Sequence, residues 1–262
     1  MIAHWRQALL LLIIALSFAA TMSAQHLAQE LAYNRFADHR VFLGIPNFGD
    51  VTSNLAFLIV GFVGLKLCLT NRIDGARWSW IVFFVGVALV SLGSTYYHWT
   101  PRNETLFWDR LPMTIAFMGL FIGLLSEQVG SRIEKYCLLP AIILGLLSVI
   151  YWNHFGDPRP YYWVQIVPLL AIPSVLVLFR GYTGQMFLAI GLACYLLAKV
   201  AEFYDQEVFS LTWQLISGHS LKHLLAAGGC FAIYAMLKHR KRLDDLTRAA
   251  RRSSGQLEAP GR

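Results

Sequence analysis

Residues 78–98 read WSWIVFFVGVALVSLGSTYYH. No charged side chain interrupts this run before His98. Its length matches the roughly 20 residues that a helix needs to cross a hydrocarbon core. Seven more segments read the same way, near 7–24, 52–70, 106–125, 136–153, 161–180, 185–203 and 217–237. Turn-forming or charged residues part them, among them Asn71-Arg72-Ile73-Asp74-Gly75, Pro101-Arg102-Asn103 and Gly156-Asp157-Pro158. The connections are short and leave no room for a soluble domain between spans. A chain this continuously apolar lacks the alternation of a membrane barrel, and helices satisfy their backbone groups internally. The expected fold class is therefore all-α: a polytopic membrane protein, a seven-transmembrane-helix bundle with an additional N-terminal hydrophobic segment.

Composition agrees. Of 262 residues, 56% are hydrophobic and only 14% charged, against about 25% charged in soluble domains. Mean hydropathy is +0.51. The net charge of +7 owes much to residues beyond the last apolar segment: Lys238, Arg240, Lys241, Arg242, Arg248, Arg251, Arg252 and Arg262. Beside a span, such a cluster reads as a topology signal and a contact for anionic headgroups of membrane lipids. Nucleic acid is not expected as a partner. Cys68, Cys137, Cys194 and Cys230 form no CxxC pair and read as small apolar core residues.

Four stretches follow. Residues 1–24 fit a cleaved signal peptide and fit an N-terminal anchor helix equally, since His4 and Arg6 precede the apolar run and small residues end it. Residues 25–51 form an extracytoplasmic loop, 52–237 the seven-helix domain, and 238–262 a basic, disordered cytoplasmic tail. Lys and Arg counts set this orientation. Arg72, Arg77, Arg132 and Lys135 fall in loops on the tail's side, whereas no Lys or Arg occurs from 203 to 216. Arg35 and Arg40 are mild exceptions on the opposite side.

Ionisable groups within spans are costly and default to a functional reading. They are Ser94 (with its neighbouring His), His98, Asp109, Lys199, Glu202, His219, Lys222 and His223. The topology puts Ser94 and His98 at the end of an outward helix, and Asp109, His219 and His223 at the starts of inward ones. All five then share one level, near the outer face. His219 and His223 are i and i+4, so their Cβ atoms lie about 5–6 Å apart on one helical face. Three neutral imidazoles would leave zinc one open position, the arrangement of a catalytic site. A serine-hydrolase triad of Ser94, His98 and Asp109 is the rival and leaves His219 and His223 unused. Lys199 and Glu202, at i and i+3, are expected to pair; Lys222 is expected to snorkel from another face. No GxSxG, HExxH, P-loop or GxGxxG occurs.

The set Ser94-Thr-Tyr-Tyr-His98, Asp109 eleven residues on, and His219-Ser-Leu-Lys-His223 resembles the alkaline ceramidase family. More widely it resembles the CREST superfamily of seven-helix membrane hydrolases, which includes the adiponectin receptors. The stretch Pro46-Asn-Phe-Gly-Asp-Val-Thr-Ser-Asn54 looks like the lead into that fold, and the likeness covers roughly residues 38–237. The resemblance implies zinc on His98, His219 and His223, proton shuttling by Asp109 and oxyanion stabilisation by Ser94. The eukaryotic members also bind calcium through an acidic N-terminal loop. This chain departs there, offering only Asp38, Asn47 and Asp50 as a weak second metal site. The implied activity is hydrolysis of the amide bond of a ceramide-like lipid that arrives from the membrane, with Phe107, Trp108, Phe117, Tyr96 and Tyr97 as candidate cavity aromatics. An ester or phosphodiester lipid substrate, and a receptor-like or transport protein with structural zinc, are the alternatives. The sequence does not set the oligomeric state.

Overall fold

A computed structural model describes residues 4–25, 31–70, 73–179 and 182–243. Most of the basic tail, 244–262, lies outside the described residues, as do His26, the Asn71-Arg72 link and Arg180-Gly181. Among the described residues ten α-helices follow one another: α1 Trp5–Ser23, α2 Phe48–Thr52, α3 Leu55–Thr70, α4 Arg77–Trp99, α5 Asn103–Gln128, α6 Arg132–Phe155, α7 Arg159–Leu178, α8 Gln185–Phe203, α9 Asp205–Leu211 and α10 Gly218–His239. Among the described residues no strand forms beyond two isolated bridges. Eight spans of the described residues are long and apolar enough to cross a membrane, α2 and α3 acting together as one, Phe48–Thr70. The bundle is the all-α polytopic fold the apolar runs imply.

Two elements were not legible as such. The polar stretch after α8 contains the short helix α9, and residues 31–54 form a strap rather than a loose loop. The strap opens with a 3-10 turn, Leu31–Asn34, and ends in α2.

Neighbouring helices pack α3 to α4 to α5, then α5 to α7, α7 to α8, α8 to α10, and α10 back to α3. This closes a ring, with α6 held outside against α5 and α1 against α7. The α7–α8 contact is slight compared with α8 against α10. Without a hydrophobic force between helices in lipid, close approach depends on small residues. Gly93 shows the effect. A Cβ there would lie 2.1 Å from the Trp108 carbonyl oxygen, so only glycine lets α4 meet α5 at this height. The residues that follow, Ser94 and Asp109, are brought face to face. Gly218 repeats the device on α10: a Cβ would lie 2.2 Å from the Ala201 carbonyl of α8, and His219 comes next.

Candidate metal centre

α4 presents His98 near its end, and α10 presents His219 and His223 one turn apart at its start. All three are buried. Their rings form a tight triangle, with centroids 4.7 Å apart for His98–His219, 4.9 Å for His98–His223 and 4.9 Å for His219–His223. One ligand nitrogen from each lies within 4.8 Å of the other two, the sole such group of three His, Cys, Asp or Glu among the described residues.

The surroundings suit a metal. Nδ1 of His98 is buried with no hydrogen-bond partner, a costly state for a polar atom unless something binds there. His223 places its Nδ1 2.8 Å from the Ser53 hydroxyl, the outer-shell contact that fixes a ligating ring and leaves its other nitrogen available. An all-imidazole donor set fits zinc. The group can hold a metal ion.

Several residues position the triangle that sequence reading did not pick out. Asp205, at the head of α9, accepts the His219 amide at 2.7 Å and the Ala37 amide at 2.8 Å. It therefore stitches the strap to the start of α10, where a negative charge also suits the helix dipole. Ser217 caps α10 by accepting the Ser220 amide at 2.8 Å. Phe36 lies over the histidines, its ring 4.6 Å from His98 and 4.4 Å from His219. Its anchor is Tyr97, whose hydroxyl donates to Asn34 at 2.8 Å. An acidic residue shortly before a helix start was a usable signal for Asp205; nothing in the sequence marks Phe36.

Asp38, Asn47 and Asp50 belong to the same strap, and each has other partners. Arg40 clasps both oxygens of Asp38 at 2.8 Å. Burial alone would raise the Asp38 carboxyl, but Arg40 and the amides of Arg40 and Gly49 outweigh it and hold it below the usual range. Asn47 donates to the His98 carbonyl at 2.7 Å. Asp50 Oδ1 accepts from Ser217 and Ser220, each at 2.6 Å, while Oδ2 is buried without a partner. These contacts tie the strap to α4 and α10.

Below the triangle lies a cavity of about 790 Å3. Ser94, Asp109 and His223 all line it. Ser94 sits close enough to Asp109 for its hydroxyl to interact with the carboxyl. A second, almost wholly apolar pocket of about 130 Å3 shares Phe57, Val90, Met113, Leu169, Tyr195 and Ala226 with it and runs deeper, to Ile233. Of the aromatics expected there, Phe117 lines the apolar pocket, whereas Tyr96 and Trp108 face outward and Tyr97 is buried against Phe36.

The Lys199–Glu202 pair forms at 2.7 Å. Lys222 corrects the expectation of snorkelling. It lines the cavity, pairs with Glu202 at 2.6 Å and reaches 3.2 Å from His219 Nε2. The reason is register: positions i and i+3 share a face, so Lys222 must follow His219 inward.

The sequence model of the family described as Ceramidase matches residues 37–252. That range holds the strap from Ala37 onward and every helix from α2 to α10. A search of curated proteins gave no match.

Proposed function

Because this chain belongs to the ceramidase family, we propose that it is a zinc-dependent membrane hydrolase that cleaves the amide bond of ceramide-like lipids into a fatty acid and a sphingoid base. The observation that carries this reading is the buried imidazole triangle beside a cavity that Ser94 and Asp109 share and that continues into an apolar pocket.

His98, His219 and His223 would hold the ion. When bound, zinc supplies a Lewis acid that makes water acidic enough to attack at neutral pH. Asp109 takes the proton from the attacking water and delivers it to the leaving amine. Ser94 donates its hydroxyl to the carbonyl oxygen as negative charge grows there. Phe36 and the strap cover the histidines and keep bulk water out. The apolar pocket receives the acyl chain, and lipid reaches it from the bilayer. The basic cluster after α10 orients the chain with its C-terminus in the cytoplasm and the site near the extracytoplasmic face.

The test is fatty-acid release from a ceramide panel by purified protein, with metal analysis of the same sample. Wild type should carry one zinc and release fatty acid. His219→Ala should lose both while still inserting and eluting as a single species. Release that survives His219→Ala, or an active wild type without zinc, would sink the mechanism.

A further inference from the structure

α1 lies outside the range of the family match, and the sequence allows it to be a discarded leader. Its packing says otherwise. Its outer face is lipid-like, with Leu11, Leu12 and Leu16 exposed, and Leu10 is its one buried residue, at 1% exposure. The other side is fastened to α7 by directional contacts. Trp163 Nε1 donates to the Ser17 hydroxyl at 3.2 Å, and the Trp163 ring meets Phe18 edge-on at 5.2 Å. Arg159 Nη1 donates to the Met22 carbonyl at 2.9 Å and the Ala24 carbonyl at 3.2 Å. Asp157 holds that guanidinium in place at 2.8 Å. The pairings run antiparallel, 22 with 159 and 17 with 163, as the first and sixth spans of a chain that reverses at each crossing require.

The same side of α1 borders the large cavity. Ser17, Ala20, Thr21, Ala24 and Gln25 line it together with Ser94, Asp109 and His223. Opposite them stand Tyr162, Ile166 and Leu170 of α7, spaced i, i+4, i+8 along one face. Removing α1 would strip the partners from Trp163 and from one arm of Arg159, and would take away part of the cavity's boundary.

We propose that α1 is retained in the mature protein and forms a wall of the substrate cavity, with Ala20 and Thr21 setting how much lipid bulk fits beside α7. The lipid nature of the ligand rests on the hydrolase reading above; the retention and docking of α1 do not. Three measurements on the full-length protein separate them. Intact mass of protein purified from membranes should include residues 5–23; a chain beginning after Ser23 overturns the proposal. A Phe18→Cys, Trp163→Cys pair should be bridged in membranes by a short bifunctional thiol reagent, with the bridge mapped by mass spectrometry; absence of the bridge overturns the docking. Ala20→Trp should weaken binding of a fluorescent long-chain ceramide by about ten-fold, the order expected when a pocket loses room for a few methylenes. Leu16→Trp, on the lipid face, should leave binding unchanged. Equal affinity of Ala20→Trp and wild type overturns the wall. A wild type that binds no ceramide would instead count against the substrate reading, and mass and cross-linking would still decide the fate of α1.

Discussion

The same three helices build two buried polar clusters, one at each end of the bundle. α4 carries His98 and Trp80, α5 carries Asp109 and Glu127, and α10 carries His223 and is capped by Arg240. Within each helix the two residues stand about 18 residues, or about 27 Å, apart. At the far end both oxygens of Glu127 and both terminal nitrogens of Arg240 are paired. Glu127 accepts from Trp80 Nε1 at 2.8 Å and from Arg240 Nη2 at 2.6 Å, and Arg240 donates onward to the Asp74 carbonyl at 2.7 Å. The pair is only 2% and 5% exposed. At the site end capacity is left over: His98 Nδ1 and Asp50 Oδ2 have no partner, and Asp109 faces a cavity. A saturated cluster holds helices together, and an unsaturated one is held together by others so that it can bind. The strap, Asp205 and Ser53 do that holding.

The sharpest way to break this comparison is Asp109→Asn. If Asp109 carries the proton as proposed, the change should slow fatty-acid release by about 10²–10⁴-fold, with thermal stability and zinc content close to wild type. A parallel fall in melting temperature would show that Asp109 is structural. Next comes Glu127→Ala, which should do the reverse. It leaves Arg240 buried without its carboxylate and should cost about 3–5 kcal/mol of stability. Loss of monodisperse protein in detergent would report it. The double variant with Arg240→Met should recover much of the loss, because the stranded charge is gone. A smaller effect belongs to Ser53→Ala, which removes the outer-shell contact of His223. Zinc affinity, measured by chelator competition, should fall about 10–100-fold; unchanged affinity would mean that the Ser53 contact is incidental. The smallest concerns pH. The Asp38 carboxyl is held below its ordinary value in the folded state. Its contribution is therefore complete above about pH 4 and fades as pH falls through the lower folded value. Arg40→Met removes the clasp, so its acid unfolding should begin at higher pH than in wild type. Coincident acid midpoints would break the link between the strap and its guanidinium.

How much of this was legible differs from residue to residue. His219 and His223 declared themselves, because i and i+4 on a helix is a local geometry and charge is scarce in a span. His98 and Asp109 could be put at their level by counting Lys and Arg in loops, since orientation alternates with every crossing. Lys222 was misread although its register was in plain sight; position alone says that it shares a face with His219, but not that Glu202 waits there to pair with it. Phe36 was out of reach, and Asp205 offered only the general signal of an acidic residue ahead of a helix. Each acts across the fold, on groups separated from it by more than a helix length of chain or by a loop of free geometry.

The sequence by itself therefore determined the solvent, the seven core spans and the residues able to ligate a metal, all of which depend on composition and on helical period. Tertiary structure alone decided that three rings close to within 5 Å, that Gly93 and Gly218 bring their helices near enough for the next residue to serve the site, and that α1 borders the cavity. The physical reason is that periodicity fixes which face a side chain takes. Which helix meets that face, and how closely, is set by packing between segments far apart in the chain.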